Sequence, residues 1–373
     1  MSLFQFLNLQ NQSNWLLSLI LWMLVIVPAQ AVELRVAIEK NVSNLKVGSS
    51  TAAIIKDSAG NEIGKLSPMS SLSAIVDGTG IAVDRLNSGE MTIEPTANGY
   101  VWIGDRWYRG KTRLIRQGEG LMAINHVNLE DYLYSVVGAE AIATWPLEAL
   151  KAQAVAARSY ALYKRDRESN GLYDVDTTVG TQVYKGLNSE YTTTHQAVNS
   201  TLGQIMTYQD RVILAAFHSS SGGHTENVED IWTSPLPYLR GVVDYDQQSP
   251  VFEWNQVFPV SQIGSLIAGV GRIKTMQPEQ MTPYGRVVTL KAIGDRGTTT
   301  LEGKTLRKAL NLRSTLFRIS TDGNNLYIRG RGFGHGLGLS QWGAYYLAKQ
   351  GINYHQILTH YYQNTQLTQI NTQ

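Results

Sequence analysis

Three short stretches carry side chains whose types and spacing could do chemistry. The first holds a lone carboxyl: Glu140 stands in Gly138-Ala139-Glu140-Ala141-Ile142-Ala143-Thr144, and no other charged residue occurs between Asp131 and Glu148. Apolar neighbours such as Ile142 and Trp145 disfavour the ionised form, raise the pKa and keep a proton available near neutral pH, as a general acid requires. A solvent-facing loop glutamate is the other reading of the same residues. The second stretch is FHSSSGGHTE at 217–226. Serine beside histidine suggests a nucleophile and its base, but adjacent residues on a strand point to opposite faces, so no triad forms from this stretch alone. His218, Ser219, Ser220 and Ser221 read better as hydroxyls and an imidazole lining a sugar groove. His218, His224 and Glu226 could instead hold a metal, although no further ligand accompanies them, and the expectation is a site without metal or other cofactor. The third stretch, GRGFGHGLGLSQWGA at 330–344, alternates glycines before a helix. It lacks the last glycine of the dinucleotide fingerprint and the lysine of a phosphate loop. What remains is close backbone approach that lets His335 and Gln341 project into a cleft, or glycines serving only a tight buried turn. Trp232, Tyr238, Trp254, Trp342, Tyr345 and Tyr346 offer faces for stacking on sugars, or simply fill the core.

These groups need elements to hold them, and the hydrophobic pattern supplies an α+β set. Residues 32–116 form a β-rich N-terminal region, with Leu34-Val36-Ile38, Ala53-Ile55, Met91-Ile93 and Tyr100-Trp102 alternating between turn signals at Gly60-Asn61, Asp77-Gly78 and Asn98-Gly99. Asn128-Leu129-Glu130-Asp131 offers an N-cap ahead of Leu133, Val136 and Val137, and Gly138 would end that helix, leaving Glu140 in a connector. A second helix opens at Pro146. Its six alanines at 149, 152, 154, 156, 157 and 161 let neighbouring backbone approach closely, which predicts a buried central helix running to Gly171. Strands are expected over 181–184, 204–208 and 212–217, with a helix at 192–200. Residues 252–316 differ in texture and read as an inserted subdomain, with helices near 260–267 and 301–310 and a strand at 286–292. A strand at 326–328 and helices over 340–350 and 354–362 close the chain. The core is thus expected in two parts, 117–251 and 317–373.

Composition removes several classes of function. The chain has 373 residues, 43% apolar and 17% charged, which excludes wholesale disorder. Thirty-two Lys and Arg against 30 Asp and Glu leave a formal charge of +2, with no basic stripe to argue for nucleic acid. Cysteine is absent, so disulfides, thiolate zinc and a cysteine nucleophile are excluded together. The 13-residue apolar run WLLSLILWMLVIV at 15–27, then Pro28 and Ala29-Gln30-Ala31, has the layout of a secretory signal cleaved after Ala31. The run is short against the roughly 20 residues of a membrane span. Its front lacks Lys or Arg, which leaves an uncleaved anchor as the alternative. The expected location is the periplasm or cell envelope.

Taken together, NHVNLEDYLYSVVGAE, WPLEALKAQAVAARSYAL, TQVYKG, FHSSSGGHTE and GRGFGHGLGLSQWGA follow the order found in the stage II sporulation protein D (SpoIID/LytB) family of bacterial cell-wall proteins, which the chain resembles from about residue 107 to 367. The resemblance implies a SpoIID-like α+β domain acting on peptidoglycan glycan strands. Founding members are lytic transglycosylases on strands stripped of stem peptides. The family's catalytic glutamate maps to Glu140. Within the matched motifs, Arg158, Gln182, Tyr184, His218, Ser219, Ser220, Ser221, His335 and Gln341 become expected substrate-binding residues. Some relatives hold zinc with cysteines and histidines; without cysteine, that site is not carried over. Other relatives modify cell-wall amidases, so a non-catalytic glycan-binding module that recruits an amidase is the second expectation. Nothing in these residues reports spore formation.

Overall fold

A computed structural model describes residues 32–178, 180–232 and 234–370, so the apolar leader with its cleavage motif lies outside the described residues. Alternation in the N-terminal region folds into two antiparallel layers. One is a seven-stranded sheet in the order Val175–Asp176, Glu33–Val42, Gly120–Asn128, Lys111–Gln117, Glu90–Pro95, Ala53–Lys56 and Glu62–Leu66; only the short first strand is parallel to its neighbour. The other has six strands, in the order Arg106–Tyr108, Val101–Ile103, Asn44–Ser49, Ser70–Asp77, Gly80–Val83 and Leu86–Ser88. The inward residues of both layers, among them Val36, Val47, Ile55, Ile81, Ile93 and Leu114, join one hydrophobic cluster. That is the outcome expected of period-two patterning with one face buried.

The long helix Leu147–Glu168 starts after Pro146 and carries all six alanines on buried positions. Its 3.6-residue periodicity sorts them between two neighbours. Leu150, Ala154, Ala157 and Ala161 face the cluster shared with the two sheets. Ala152, Val155, Ala156 and Tyr160 face a second cluster built from Met206, Ile213, Leu339, Ala344, Ile357 and Tyr361. A third cluster, from Trp254 to Ile328, belongs to the strands Glu253–Pro259, Ile273–Met281, Val287–Gly294, Thr298–Glu302, Phe317–Thr321 and Asn325–Arg331 with the helices Val260–Leu266 and Gly303–Ala309. Glu253–Pro259 pairs with Asn325–Arg331, so this unit leaves the core and returns to it on adjacent strands. Helices Gln341–Lys349 and Tyr354–Tyr361 then pack against the central helix. No helix among the described residues is long and apolar enough to cross a membrane.

Three expected elements take a different form. Residues 181–184 belong to no sheet; the Val183 N–H serves the Glu140 side chain, and the Thr181 N–H bonds the Thr178 carbonyl in a turn. The run 212–217 is paired only at its ends, as Arg211–Val212 and Phe217–His218. In between, Ala215 and Ala216 bond the carbonyls two residues back. Within 301–310, the first two residues complete the strand Thr298–Glu302, and the helix starts only at Gly303.

Candidate functional site

Glu140 is the last residue of the helix Leu129–Glu140, which corrects the expectation of a connector beginning at Gly138. Gly138 is there for close packing: a Cβ at that position would meet the Ser189 carbonyl oxygen at 2.0 Å. The helix is capped as expected, with the Asn128 side chain accepting from the Glu130 N–H at 2.8 Å. A buried ion pair fixes it to the central helix. Arg158 donates through Nε and Nη2 to the two Glu130 oxygens at 2.8 and 2.6 Å, and through Nη1 to the Gln204 carbonyl at 3.0 Å.

The segment after Gly180 completes the seat of Glu140. Gln182 lies inside, accepting from Tyr132 Oη at 3.1 Å and donating to the Ala157 carbonyl at 3.2 Å. Tyr184 is also inside, its hydroxyl donating to Asn125 Oδ1 at 2.9 Å and its ring packed 4.8 Å from that of Tyr132. With its neighbours pinned on both sides, the Val183 N–H donates to Glu140 Oε1 at 2.7 Å. Gln341, whose Nε2 donates to Gln153 Oε1 at 3.4 Å, lines the same cavity and favours the ionised form of this carboxyl. Burial nevertheless dominates and holds the Glu140 pKa above the ordinary carboxylate range; the Val183 N–H, the Gln341 amide and the charge of Lys185 oppose it. The position at a helix C-terminus, the negative end of the macrodipole, works in the same direction as burial.

Glu140 opens onto a cavity of about 790 Å³ whose lining includes His218, Ser219, Trp232, His335 and Gln341. A larger hollow of about 960 Å³, between Trp254, Tyr284, Arg318 and Arg331, is an open trough on the third cluster's sheet and contains none of these groups. The glycine turn builds one wall of the Glu140 cavity. Gly334 has φ +118°, and a Cβ there would come within 2.7 Å of His218 Cβ. His335 Nδ1 accepts from the Leu337 N–H at 3.0 Å, which leaves the proton of the neutral ring on Nε2. Burial and the charges of Arg286 and Arg307 push its pKa down to about 3. His218 Nδ1 lies 3.0 Å from the Leu337 carbonyl, which can only accept, so Nδ1 carries the proton. Nε2 is then a buried acceptor without a partner. Burial first, then the neighbouring His335 and Arg286, holds this ring neutral too.

Of the residues singled out in the sequence, Glu140, His218, Ser219, His335 and Gln341 therefore meet in one cavity. The others do not line it. Arg158, Gln182 and Tyr184 are buried with the internal partners given above; they place the helix and the loop that hold Glu140, rather than facing the cavity. Ser220 and Ser221 point the other way, donating to Asp246 and, at 2.6 Å, to Asp244. Glu226 is sealed in the interior, accepting from Thr282 Oγ1 at 3.0 Å beside Arg286 Nε at 3.5 Å. His224 stacks on Tyr284 at 3.8 Å and bonds the Thr225 carbonyl. Among the aromatics Trp232 reaches the cavity, Tyr238 and Trp254 are core, and Trp342, Tyr345 and Tyr346 form a cluster with Trp145. Sequence reasoning missed the part of the lining formed by Arg307, Asn311 and Arg313, which come from the helix Gly303–Ala309 and the turn after it.

The chain is thus an α+β protein in which a glutamate at the C-terminal end of a helix shares one cavity with His335 of the glycine turn and His218 of the strand beside it. A protein-family model described as stage II sporulation protein matches residues 117–208, which include Glu140 and its seat, and a second one, described as a domain of unknown function, matches residues 244–338. The chain is 36% identical over 269 residues to stage II sporulation protein D of Bacillus subtilis, covering 66% of this chain and 76% of that protein. It is 32% identical over 280 residues to an uncharacterized protein of Brachyspira hyodysenteriae, covering 74% and 76%. A similarity of 29% over 291 residues links it to the amidase enhancer of Bacillus subtilis, covering 63% of this chain and 40% of that protein. The chain belongs to the stage II sporulation protein D family.

Proposed function

We propose that this chain is an exported lytic transglycosylase that cleaves the bond between N-acetylmuramic acid and N-acetylglucosamine in peptidoglycan strands stripped of stem peptides, with Glu140 as general acid and then base. One observation carries the reading: among the described residues, Glu140 is the one carboxyl lining the cavity, and burial favours its protonated form. Glu148, Glu226 and Asp230 are engaged elsewhere, with Lys151, Thr282 and Asn227 respectively. A hydrolase of the usual kind needs two carboxyls flanking the bond. With one, Glu140 gives its proton to the glycosidic oxygen as the bond from the muramic C1 breaks, then takes the proton of the C6 hydroxyl of the same sugar as that oxygen bonds C1. The nucleophile is intramolecular, so no water enters and the entropic barrier is low. A 1,6-anhydro end results and Glu140 is regenerated protonated.

The similarity to an amidase enhancer favours a second reading, a glycan-binding module that stimulates a cell-wall amidase. Digestion of stripped strands by the purified chain and by Glu140→Gln separates the two. Cleavage by the parent alone supports the enzyme, and equal cleavage by both removes Glu140 from the role. No cleavage by either, with equal stimulation of an amidase, favours the module.

A further inference from the structure

Part of the cavity lining comes from the region that a domain of unknown function matches, and it includes two arginines, Arg307 and Arg313. Arg307 is half-buried and donates through Nε to the Leu312 carbonyl at 3.2 Å; Arg313 lies over the Phe333 ring, 5.9 Å from its centroid. Neither has a carboxylate within ion-pair distance among the described residues. This sets them apart from Arg35, Arg113, Arg158 and Arg240, each of which holds a carboxylate at 2.6 Å. Removing a guanidinium from water without a counter-charge is unfavourable. The desolvation of Arg307 is uncompensated, and its pKa lies below the ordinary arginine value for that reason alone. Among the described residues Glu140 is the one acid lining the same cavity, against these two arginines. The cavity is therefore positive when empty. Close by, His218 Nε2 is buried without a partner, a second group in this lining that lacks its hydrogen bond.

We propose that Arg307 and Arg313 form a carboxylate subsite that reads the lactyl group of N-acetylmuramic acid, making this region the specificity wall of the site. A planar guanidinium matches a carboxylate in geometry as well as charge. In the repeating disaccharide the lactyl carboxylate is the one anionic group. It is free when the stem peptide has been removed and becomes a neutral amide when the peptide is attached. The pair thus distinguishes stripped from peptide-bearing strands at the sugar itself, and this assignment rests on the glycan reading given above.

The test measures binding by calorimetry with the Glu140→Gln protein, so that turnover does not consume the ligand. Three probes are used: stripped strand fragments, the same fragments with their lactyl carboxylates converted to primary amides, and fragments carrying stem peptides. Stripped fragments are expected to bind about 10- to 100-fold more tightly than amidated ones, the range for losing a charge-assisted contact. Replacing both arginines with glutamine should remove that preference; Arg307→Lys with Arg313→Lys should keep part of it, which separates lost charge from lost fold. Equal binding of stripped and amidated fragments overturns the proposal without any arginine variant being needed. Tight binding of peptide-bearing fragments that depends on both arginines overturns the lactyl assignment in favour of a peptide carboxylate. If the parent protein never cleaves strands yet the preference for free carboxylate persists, the subsite stands and the transglycosylase reading falls.

Discussion

Glu140 and Glu226 are both carried into the protein, and desolvation shifts both upward, but the groups that hold them differ. Glu140 ends a helix, receives the Val183 N–H, which favours its ionised form, and opens onto a cavity. Glu226 has one hydroxyl donor, one oxygen with no hydrogen-bond partner and a fully buried arginine at 3.5 Å, and it lines neither of the two cavities described above. The first arrangement can pass a proton to something that enters. The second can only hold the fold together, tying the loop after Ser221 to the region beyond residue 252. Raised pKa values therefore do not by themselves mark a catalytic group; access does.

The comparison is broken most severely by removing the proton from each site in turn. Glu140→Gln should lower turnover on glycan strands by about 10² to 10⁴, the usual effect of losing a general acid or base, while thermal unfolding stays unchanged. Glu226→Gln should leave turnover near the parent value. Next in size is the wall between the two sites. Gly336 has φ +85°, and a Cβ there would stand 2.3 Å from Arg286 Nη2, so Gly336→Ala disturbs the arginine that Glu226 depends on. Its cost should be at least ~2 kcal/mol, from a left-handed backbone and a clash together, read as a lower urea midpoint at constant slope.

A smaller effect separates the two carboxyls by pH. Burial pushes Glu226 up to about 7 from an ordinary value of 4.5. The native state then binds the extra proton between those values, so the contribution to stability is full below about 4.5 and is lost as pH rises through about 7. In Glu226→Gln the melting temperature should vary less across this window. Smallest is the response to Gln341→Ala. Its amide favours ionised Glu140, so its loss raises that pKa further and moves the alkaline limb of activity to higher pH, because the acid must be protonated to act. A limb that stays in place would show that Gln341 does not set the Glu140 proton.

Much of the site was readable from residue types. Glu140 stood out because it is an isolated charge in an apolar run, and the alanines of 149–161 announced a helix with close neighbours on more than one side. Gly138 misled because a glycine that stops a helix and one that lets a helix touch its neighbour look alike in sequence; only the Ser189 carbonyl shows which it is. The alternation at 181–184 was real, with Gln182 and Tyr184 both buried, but the Val183 N–H that a strand would give to a ladder goes to Glu140. Arg158, Gln182 and Tyr184 are expected from their motifs to bind substrate and are instead buried on internal partners, because nothing local distinguishes a group facing a ligand from one holding the group that does. Arg307 and Arg313 gave no local signal, since their meaning comes from the carboxylates they lack in space.

The central claim is that one carboxyl serves both proton transfers and that the sugar's own C6 hydroxyl replaces water. Digesting stripped strands in ¹⁸O-water and weighing the fragments by mass spectrometry tests it directly. The account predicts 1,6-anhydro-N-acetylmuramic ends, lighter by one water than reducing ends and free of label. Reducing ends that carry ¹⁸O would contradict it and require a second carboxylate beside Glu140.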